Sequence, residues 1–415
     1  MTTKPFIIGK WQVQRAFELV KANAGAAGVD EQSIEAFEQD LKGNLYKLWN
    51  RLSSGSYFPP PVKAVAIPKK SGGERLLGIP TVSDRIAQMV VKLEFEPQVE
   101  PHFLDDSYGY RPNKSALDAI GKTRQRSWRY DWVVEFDIKG LFDNIPHELL
   151  LKAVDKHTDT PWVRLYIERW LTAPMQTPEG KQMERVQGTP QGGVISPVLA
   201  NLFLHYVFDK WLQKHYPERP WCRYADDGLV HCKSQAEAEH MLDVLTQRFG
   251  ECGLELHPQK THIVYCKDGS RKQRYERTSF DFLGYAFRAR VCKNRKRNSL
   301  FISFTPAVSK DALKAMRRKI RTLRVRMATD MSIAQIAQWL NPLLRGWLAY
   351  YGRYCRSALY PLCRHVNKAL VRWARRKFKA LRRHKSRASQ FMEKIAEQNP
   401  RLFAHWRAGM IGAFA

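Results

Sequence analysis

Trp221-Cys222-Arg223-Tyr224-Ala225-Asp226-Asp227-Gly228-Leu229-Val230 is the stretch on which the reading of this chain turns. Two adjacent carboxylates sit beside a glycine, between two short apolar runs. Such runs read as strands, and Asp226-Asp227-Gly228 reads as the tight turn that joins them. Side by side, the two carboxylates repel unless a cation is near. Oxygen-only ligands at one point suit a hard cation such as Mg²⁺. A solvated Asp-Gly turn is the ordinary explanation of the same residues, so the rest of the chain has to supply the other ligands.

Upstream, Asp131 to Ile138 reads as a strand. Trp132, Val133, Val134, Phe136 and Ile138 form a nearly continuous apolar run, which suggests burial on both faces. Asp137 is set into that run. An ionised Asp at the end of a buried strand is expensive unless it is paired or metal-bound. The following Gly140 to Pro146 turns the chain into a helix, with Asp143 or Asn144 as cap and Pro146 in the first turn. Val186 to Gly193 is a Gly-rich loop before a long apolar helix, Ile195 to Leu212, and such a loop exposes backbone N–H groups at a helix start. It lacks the Walker spacing, because no Gly-Lys-Ser/Thr follows. Downstream, Ser234 to Phe249 is an amphipathic helix, Gly253 to Val264 holds a further strand pair, and Phe280 to Tyr285 resumes as a strand. This order predicts an α+β sheet domain.

Further out, residues 11–53 read as largely helical, and Ser54-Gly-Ser-Tyr-Phe-Pro-Pro-Pro ends that region. Val62 to Ile67 and Leu76 to Pro80 read as a hairpin with Lys69, Lys70 and Arg75 near its tip. That tip is either a solvated basic turn or a cationic clamp on phosphates. From residue 300 the chain reads as helical. Leu313, Met316, Ile320, Leu323 and Met327 make one apolar stripe, with Lys314, Arg317, Arg318, Arg321 and Arg324 on the other faces. A second helix begins at Ile333 and a third at Asn341-Pro342. A fourth carries Val366, Leu370 and Trp373, with Arg372, Arg375, Arg376, Lys377, Arg382 and Arg383 towards its end.

Composition narrows the function classes. The chain has 415 residues, 44% of them apolar, and a formal net charge of +29. It is therefore a globular chain of two or three domains whose partner is a polyanion, with nucleic acid the first candidate. No apolar run is long enough to span a bilayer, and the N-terminus has no apolar signal core, so a cytoplasmic, nucleoid-associated protein is expected. The seven cysteines include no CxxC pair and read as mostly reduced core residues. Cationic helix faces interleaved with aromatics suit contact with an RNA or DNA backbone.

Brought together on one sheet, Asp137, Asp226 and Asp227 offer a three-carboxylate site. Two Mg²⁺ ions roughly 3.5–4 Å apart suit such a site, as in polymerases and many nucleases. Lys69 and Arg75 would then hold the outer phosphates of a triphosphate. The chemistry is nucleotidyl transfer, in which positioning and electrostatics do most of the work.

Three runs occur in the order seen in reverse transcriptases: Phe136-Asp-Ile-Lys-Gly-Leu-Phe-Asp-Asn-Ile145, Gln187-Gly-Thr-Pro-Gln-Gly-Gly-Val-Ile-Ser-Pro197 and Tyr224-Ala-Asp-Asp227. Arg75 to Thr81 and Ser107-Tyr-Gly-Tyr-Arg-Pro-Asn113 resemble the fingers motifs of the group II intron-encoded branch. Gly253 to Thr261 resembles the segment after the Asp-Asp hairpin, Phe282-Leu-Gly-Tyr285 the palm–thumb junction, and Arg345-Gly-Trp347 with Tyr350-Tyr351 the maturase region. The likeness runs from about residue 15 to about residue 380.

The resemblance implies a right-hand polymerase fold, with fingers and an antiparallel palm sheet followed by an all-α thumb and maturase domain. The corresponding divisions are a helical extension at 1–60, fingers and palm at 61–290, thumb and maturase at 300–385, and a short tail at 386–415. It implies Asp137 and Asp226 as metal ligands for two Mg²⁺, with the Ile138 carbonyl assisting and Asp227 completing the site. It implies Lys69 (or Lys70), Arg75 and Gln191 around the incoming dNTP, Phe142 under its sugar as the residue that excludes a 2′-OH, and Lys260 as proton donor to departing pyrophosphate. Arg111, Arg317, Arg318, Arg321, Arg345, Trp347, Arg375 and Arg376 are the expected nucleic-acid contacts. The implied partners are group II intron RNA, a DNA target or primer and dNTPs. Oligomeric state stays open, a homodimer included.

The chain departs from many relatives at its C-terminus, where no H-N-H endonuclease with paired cysteines follows. Cleavage of a second DNA strand is therefore not expected. Two other readings compete: a maturase that binds RNA without polymerising, and a reverse transcriptase recruited to a retron-like or defence role.

Overall fold

The computed structural model describes residues 4–68, 73–294, 296–412 and 414. The chain divides into two compact units, one formed by 1–119 and 134–263 and the other by 120–133 and 264–415. The first is α+β, and the second joins a three-stranded sheet to a helical bundle.

The first unit opens with α1 (Lys10–Asn23), α2 (Ile34–Gln39) and α3 (Leu41–Ser54). These helices are not an appended extension. Val13, Phe17 and Val20 are buried. Arg85 donates to the carbonyls of Ala24 and Ala26 at 3.1 and 2.9 Å, and the Tyr166 hydroxyl donates to the Leu52 carbonyl at 2.6 Å. The hairpin β1 (Val62–Pro68) and β2 (Glu74–Ile79) leads to α4 (Val82–Val99), whose Ile86, Val90 and Phe95 are fully buried. The helix α5 (Ala116–Ser127) precedes β3 (Trp132–Asp137), whose apolar run is buried as its sequence predicts.

After β3 the chain makes two helices where one was expected. Gly140 in left-handed conformation (φ 59) starts the single turn α6 (Leu141–Asn144), and Pro146 is the N-cap of α7 (His147–Asp155). The extended conformation of Ile145 before the proline breaks the helix at that point. Then follow α8 (Pro161–Thr172), the two-residue strands β4 (Met175–Gln176) and β5 (Gln182–Met183), and α9 (Ser196–Leu204). The long apolar helix continues through a π-helical turn at His205–Asp209 into α10 (Lys210–His215). Arg248 donates to the Val207 carbonyl at 3.0 Å, satisfying an acceptor at that turn.

The hairpin β6 (Trp221–Tyr224) and β7 (Asp227–Cys232) is antiparallel and pairs Tyr224 with Asp227. Its turn is therefore Ala225-Asp226, with Ala225 left-handed at φ 56. Gly228 lies within β7, where a side chain would collide with the Phe136 ring. The glycine allows close packing and does not form the turn. After α11 (Gln235–Glu251), Leu256 forms a single bridge to Ile138 and β8 (His262–Tyr265) completes a sheet of order β6-β7-β3-β8.

In the second unit, β9 (Ser279–Phe282), β10 (Tyr285–Asn294) and β11 (Ser299–Val308) form an antiparallel sheet. The β10–β11 pair is regular from Tyr285–Val308 to Asn294–Ser299. Helical character thus begins after Val308 and not at residue 300. Helices α12 (Lys310–Thr322), α13 (Ile333–Tyr351), α14 (Tyr360–Lys377), α15 (Lys385–Gln398) and α16 (Ala404–Arg407) follow. The expected break at Asn341-Pro342 is absent, because Pro342 lies inside α13. The described residues after 385 are not a tail: Ala388, Met392, Phe403, Trp406 and Phe414 are buried in one core with Ile336, Leu340, Val366 and Leu370. Among the described residues, no helix is long and apolar enough to cross a membrane.

Candidate active site

Asp137 ends β3, and Asp226 and Asp227 sit at the β6–β7 turn. The Ile138 amide donates to the Asp226 carbonyl at 3.3 Å, which locks the end of one strand against the tip of the other. On the opposite side, the His257 amide donates to the Asp137 carbonyl at 2.8 Å and the Lys139 amide to the Glu255 carbonyl at 2.9 Å.

The carboxyls interact strongly. Burial raises Asp226 above the ordinary aspartate value, and the charge of Asp137 adds to the rise. Asp227 is pushed up to about 7, first by burial, then by the Asp226 charge and by a hydrogen bond with the Asp137 carboxyl. This is the cost expected when neighbouring carboxylates share a buried site. Lys260 offsets part of it, with Nζ 3.0 Å from Asp137 Oδ2. The donors are all hard oxygens and carry excess negative charge, which fits a divalent hard cation. Among the described residues, no group of three or more His, Cys, Asp or Glu side chains already converges in a metal-holding arrangement. Asp137 is engaged with Lys260 and Asp227 instead.

A buried network holds the turn in place. Arg223 is fully buried and grips Asp209 with both arms of its guanidinium, at 2.8 and 2.7 Å. It also donates to Asn201 Oδ1 at 3.1 Å, Ser107 Oγ at 2.9 Å and the Ala225 carbonyl at 3.2 Å. The last bond fixes the left-handed residue of the turn. Asn201 in turn donates to the Gly109 carbonyl at 2.6 Å. The 107–110 loop lies along β6, with the Tyr108 amide donating to the Arg223 carbonyl at 2.9 Å. A Cβ on Gly109 would stand 2.5 Å from the Ala225 nitrogen, so only glycine fits there. Tyr110 is half-exposed beside the carboxylates, and its hydroxyl is raised by burial and then by Asp226. These network residues were missed in the sequence. The one available signal was Arg223 itself, a charge inside an otherwise apolar strand.

The Gly-rich loop is pinned from three sides. Its Gly188 and Thr189 amides donate to the Ile145 and Phe142 carbonyls at 2.8 and 2.6 Å. The Gly78 amide on β2 donates to the Gln191 carbonyl at 2.8 Å. The Val194 amide, at the helix start, donates to Gln88 Oε1 at 2.7 Å. That contact ties the loop to α4 just ahead of the helix start. Gln191 donates through Nε2 to Asp143 at 3.1 Å, and Phe142 is half-buried in α6. Arg75 is exposed on β2, close enough for its charge to act on Tyr110. Lys69 and Lys70 lie outside the described residues.

The expected nucleic-acid contacts divide. Arg318, Arg321, Arg345 and Arg376 are exposed, and Arg317 is half-exposed on α12. Arg111 is instead built into its own loop, paired with Glu100 at 2.8 Å and donating to the Leu104 and Ser107 carbonyls, with its side chain 5% exposed. Trp347 packs against the buried cores of the helical bundle, and Arg375 donates to the Arg382 carbonyl at 3.1 Å. All seven cysteines are free thiols.

Residues 67–287 match the family described as reverse transcriptase (RNA-dependent DNA polymerase), and residues 313–391 match the group II intron maturase-specific domain. Protein YkfC of Escherichia coli is 31% identical over 341 residues, 69% of this chain and 82% of that protein. The group II intron-encoded protein LtrA of Lactococcus lactis is 34% identical over 256 residues, 56% of this chain and 40% of LtrA. A structure of Candida albicans telomerase with a telomeric RNA fragment aligns with TM-score 0.46 at 11% identity, covering 91% of this chain and 68% of that one, a likeness too loose to bear on function.

Proposed function

Because the chain belongs to the group II intron reverse transcriptase and maturase family and is of the RNA-directed DNA polymerase class, we propose that it copies RNA into DNA at Asp137, Asp226 and Asp227. We further propose that its basic helices bind the group II intron RNA, and that by these two activities it assists splicing and intron mobility. The observation that supports the reading is at Asp227, which is pushed up to about 7 by burial, by the Asp226 charge and by a hydrogen bond with the Asp137 carboxyl.

The reaction joins a primer 3′-oxygen to the α-phosphorus of a dNTP and breaks the bond to pyrophosphate. Asp137, Asp226, Asp227 and the Ile138 carbonyl would hold two Mg²⁺. When bound, such ions activate the attacking hydroxyl and stabilise the leaving oxygen. The chain's own groups do the rest. Arg75 holds the outer phosphates, Gln191 borders the nucleotide, and Phe142 lies under the sugar. Lys260, already at the carboxylates, donates a proton to the departing pyrophosphate. The Arg223 network keeps the turn from shifting during the reaction, which preserves electrostatic preorganisation.

The test is dNTP incorporation on an RNA template with and without Mg²⁺, using the wild type and the Asp226→Ala/Asp227→Ala variant. The variant should lose at least about 10²–10³-fold in rate, while its affinity for intron RNA stays near wild type. Incorporation that survives in the variant, or that ignores Mg²⁺, would overturn the assignment.

A further inference from the structure

A cavity of ≈ 290 Å³ opens in the helical bundle where the end of α12 meets α14. Arg321, Arg324, Arg326 and Arg372 line it together with His365, over an apolar floor that includes Ile320. No carboxylate among the described residues lines it. Among the described residues, none of the four arginines makes a salt bridge. The four arginines are solvent-exposed around one opening without a counter-charge, which concentrates a positive potential there that an entering anion would relieve. His365 registers the same field: its basicity is depressed by burial and then by Arg321, Arg372 and Arg317.

The backbone supplies a second, independent sign. Arg324 stands just past the end of α12 in left-handed conformation, at φ 48. That position after a helix usually carries glycine, because any Cβ is strained there. Here an arginine takes that position and lines the cavity.

We propose that this cavity is a polyphosphate site, taking two or more closely spaced phosphate groups. Planar guanidiniums bind phosphate oxygens in bidentate fashion, and several arginines at one point discriminate clustered phosphates from single ones. The phosphates come either from a sharply folded RNA backbone or from a free polyphosphate. The RNA source rests on the reading of the helical domain as an RNA-binding surface, whereas the anion chemistry does not.

The experiment uses the full chain and sodium tripolyphosphate without divalent cations, a condition in which the palm carboxylates repel the probe. Titration calorimetry compares wild type, Arg324→Gly/Arg372→Gln and a charge-matched control, Lys385→Gln/Arg387→Gln, altered outside the cavity. The cavity variant should bind tripolyphosphate at least ten-fold more weakly, and the control should match wild type. Arg324→Gly alone should keep or raise the melting temperature, so lost binding is not lost folding. If intron RNA affinity falls with it, with the salt slope reduced by roughly one unit per arginine removed, the ligand is RNA backbone. If RNA affinity is unchanged, the ligand is a free polyphosphate. Equal tripolyphosphate binding by wild type and cavity variant, or equal loss in the control, overturns the proposal. A wild type that fails to copy RNA would sink the polymerase reading and leave the tripolyphosphate result standing.

Discussion

At the scale of single residues, the site depends on a few side chains whose partners are far away in sequence. Asp209 illustrates this. Both it and Arg223 are fully buried, 2.7 Å apart. Asp209→Ala leaves the guanidinium buried without its partner and should cost about 3–5 kcal/mol, read as a lower midpoint in urea unfolding. Polymerisation should fall with it, because Arg223 also holds the Ala225 carbonyl. An unchanged midpoint would mean that Arg223 has found another partner. Phe142 is a separate case. Phe142→Ala should raise ribonucleotide incorporation relative to dNTP incorporation by roughly ten-fold or more, the loss of about 1–3 kcal/mol of discrimination. Unchanged sugar selectivity would remove Phe142 from the nucleotide site. Asp137, Asp226 and Asp227 stand out in the sequence as candidates because their local runs are distinctive, and Phe142 stands out by its register with Asp137. Asp209, Asn201 and Ser107 were not, since each is an ordinary polar residue whose role arises only when Arg223 reaches it.

At the scale of elements, periodicity located most helices and strands, and the errors share a cause. Pro342 was expected to start a helix and lies within α13; Gly228 was expected in a turn and lies within β7. In both places packing overrode local preference: Pro342 sits between the buried residues Asn341 and Leu344, and Phe136 covers Gly228. The segment around α16 is the clearest correction, because its His405 and Trp406 are buried and both donate to, or meet, Asn367 Oδ1 at 2.7 and 2.9 Å. Burial pushes His405 down to about 3. A histidine held neutral in the fold takes up a proton more readily when unfolded, so its contribution to stability is present above pH ~6.5 and is lost as pH falls towards 3. The expected loss is about 2 kcal/mol by pH 5. Thermal unfolding from pH 7.5 to 5 should show this drop together with that of His205, which burial also pushes down to about 3, and His405→Gln should remove its own share and leave the rest. A slope the variant leaves unchanged would place the titration elsewhere.

At the scale of the whole molecule, charge is the dominant property. With a net charge of +29, RNA binding should weaken steeply with salt, by roughly 10³–10⁵ between 50 and 200 mM if six to ten phosphates are contacted. A filter-binding series in KCl would test this, and a flat response would undermine the basic-helix reading. The sequence by itself determined the family and the α+β then α order and singled out the candidate carboxylates, because motif spacing and periodicity are local and survive without coordinates. Tertiary structure alone decided what the hairpin turn is, what holds it, and where the basic residues gather. Arg111 and Arg321 look alike along the chain, yet one is consumed by Glu100 and the other lines an uncompensated cavity. The physical reason is that the partner of a charge is chosen by folding, from elements that the sequence keeps far apart.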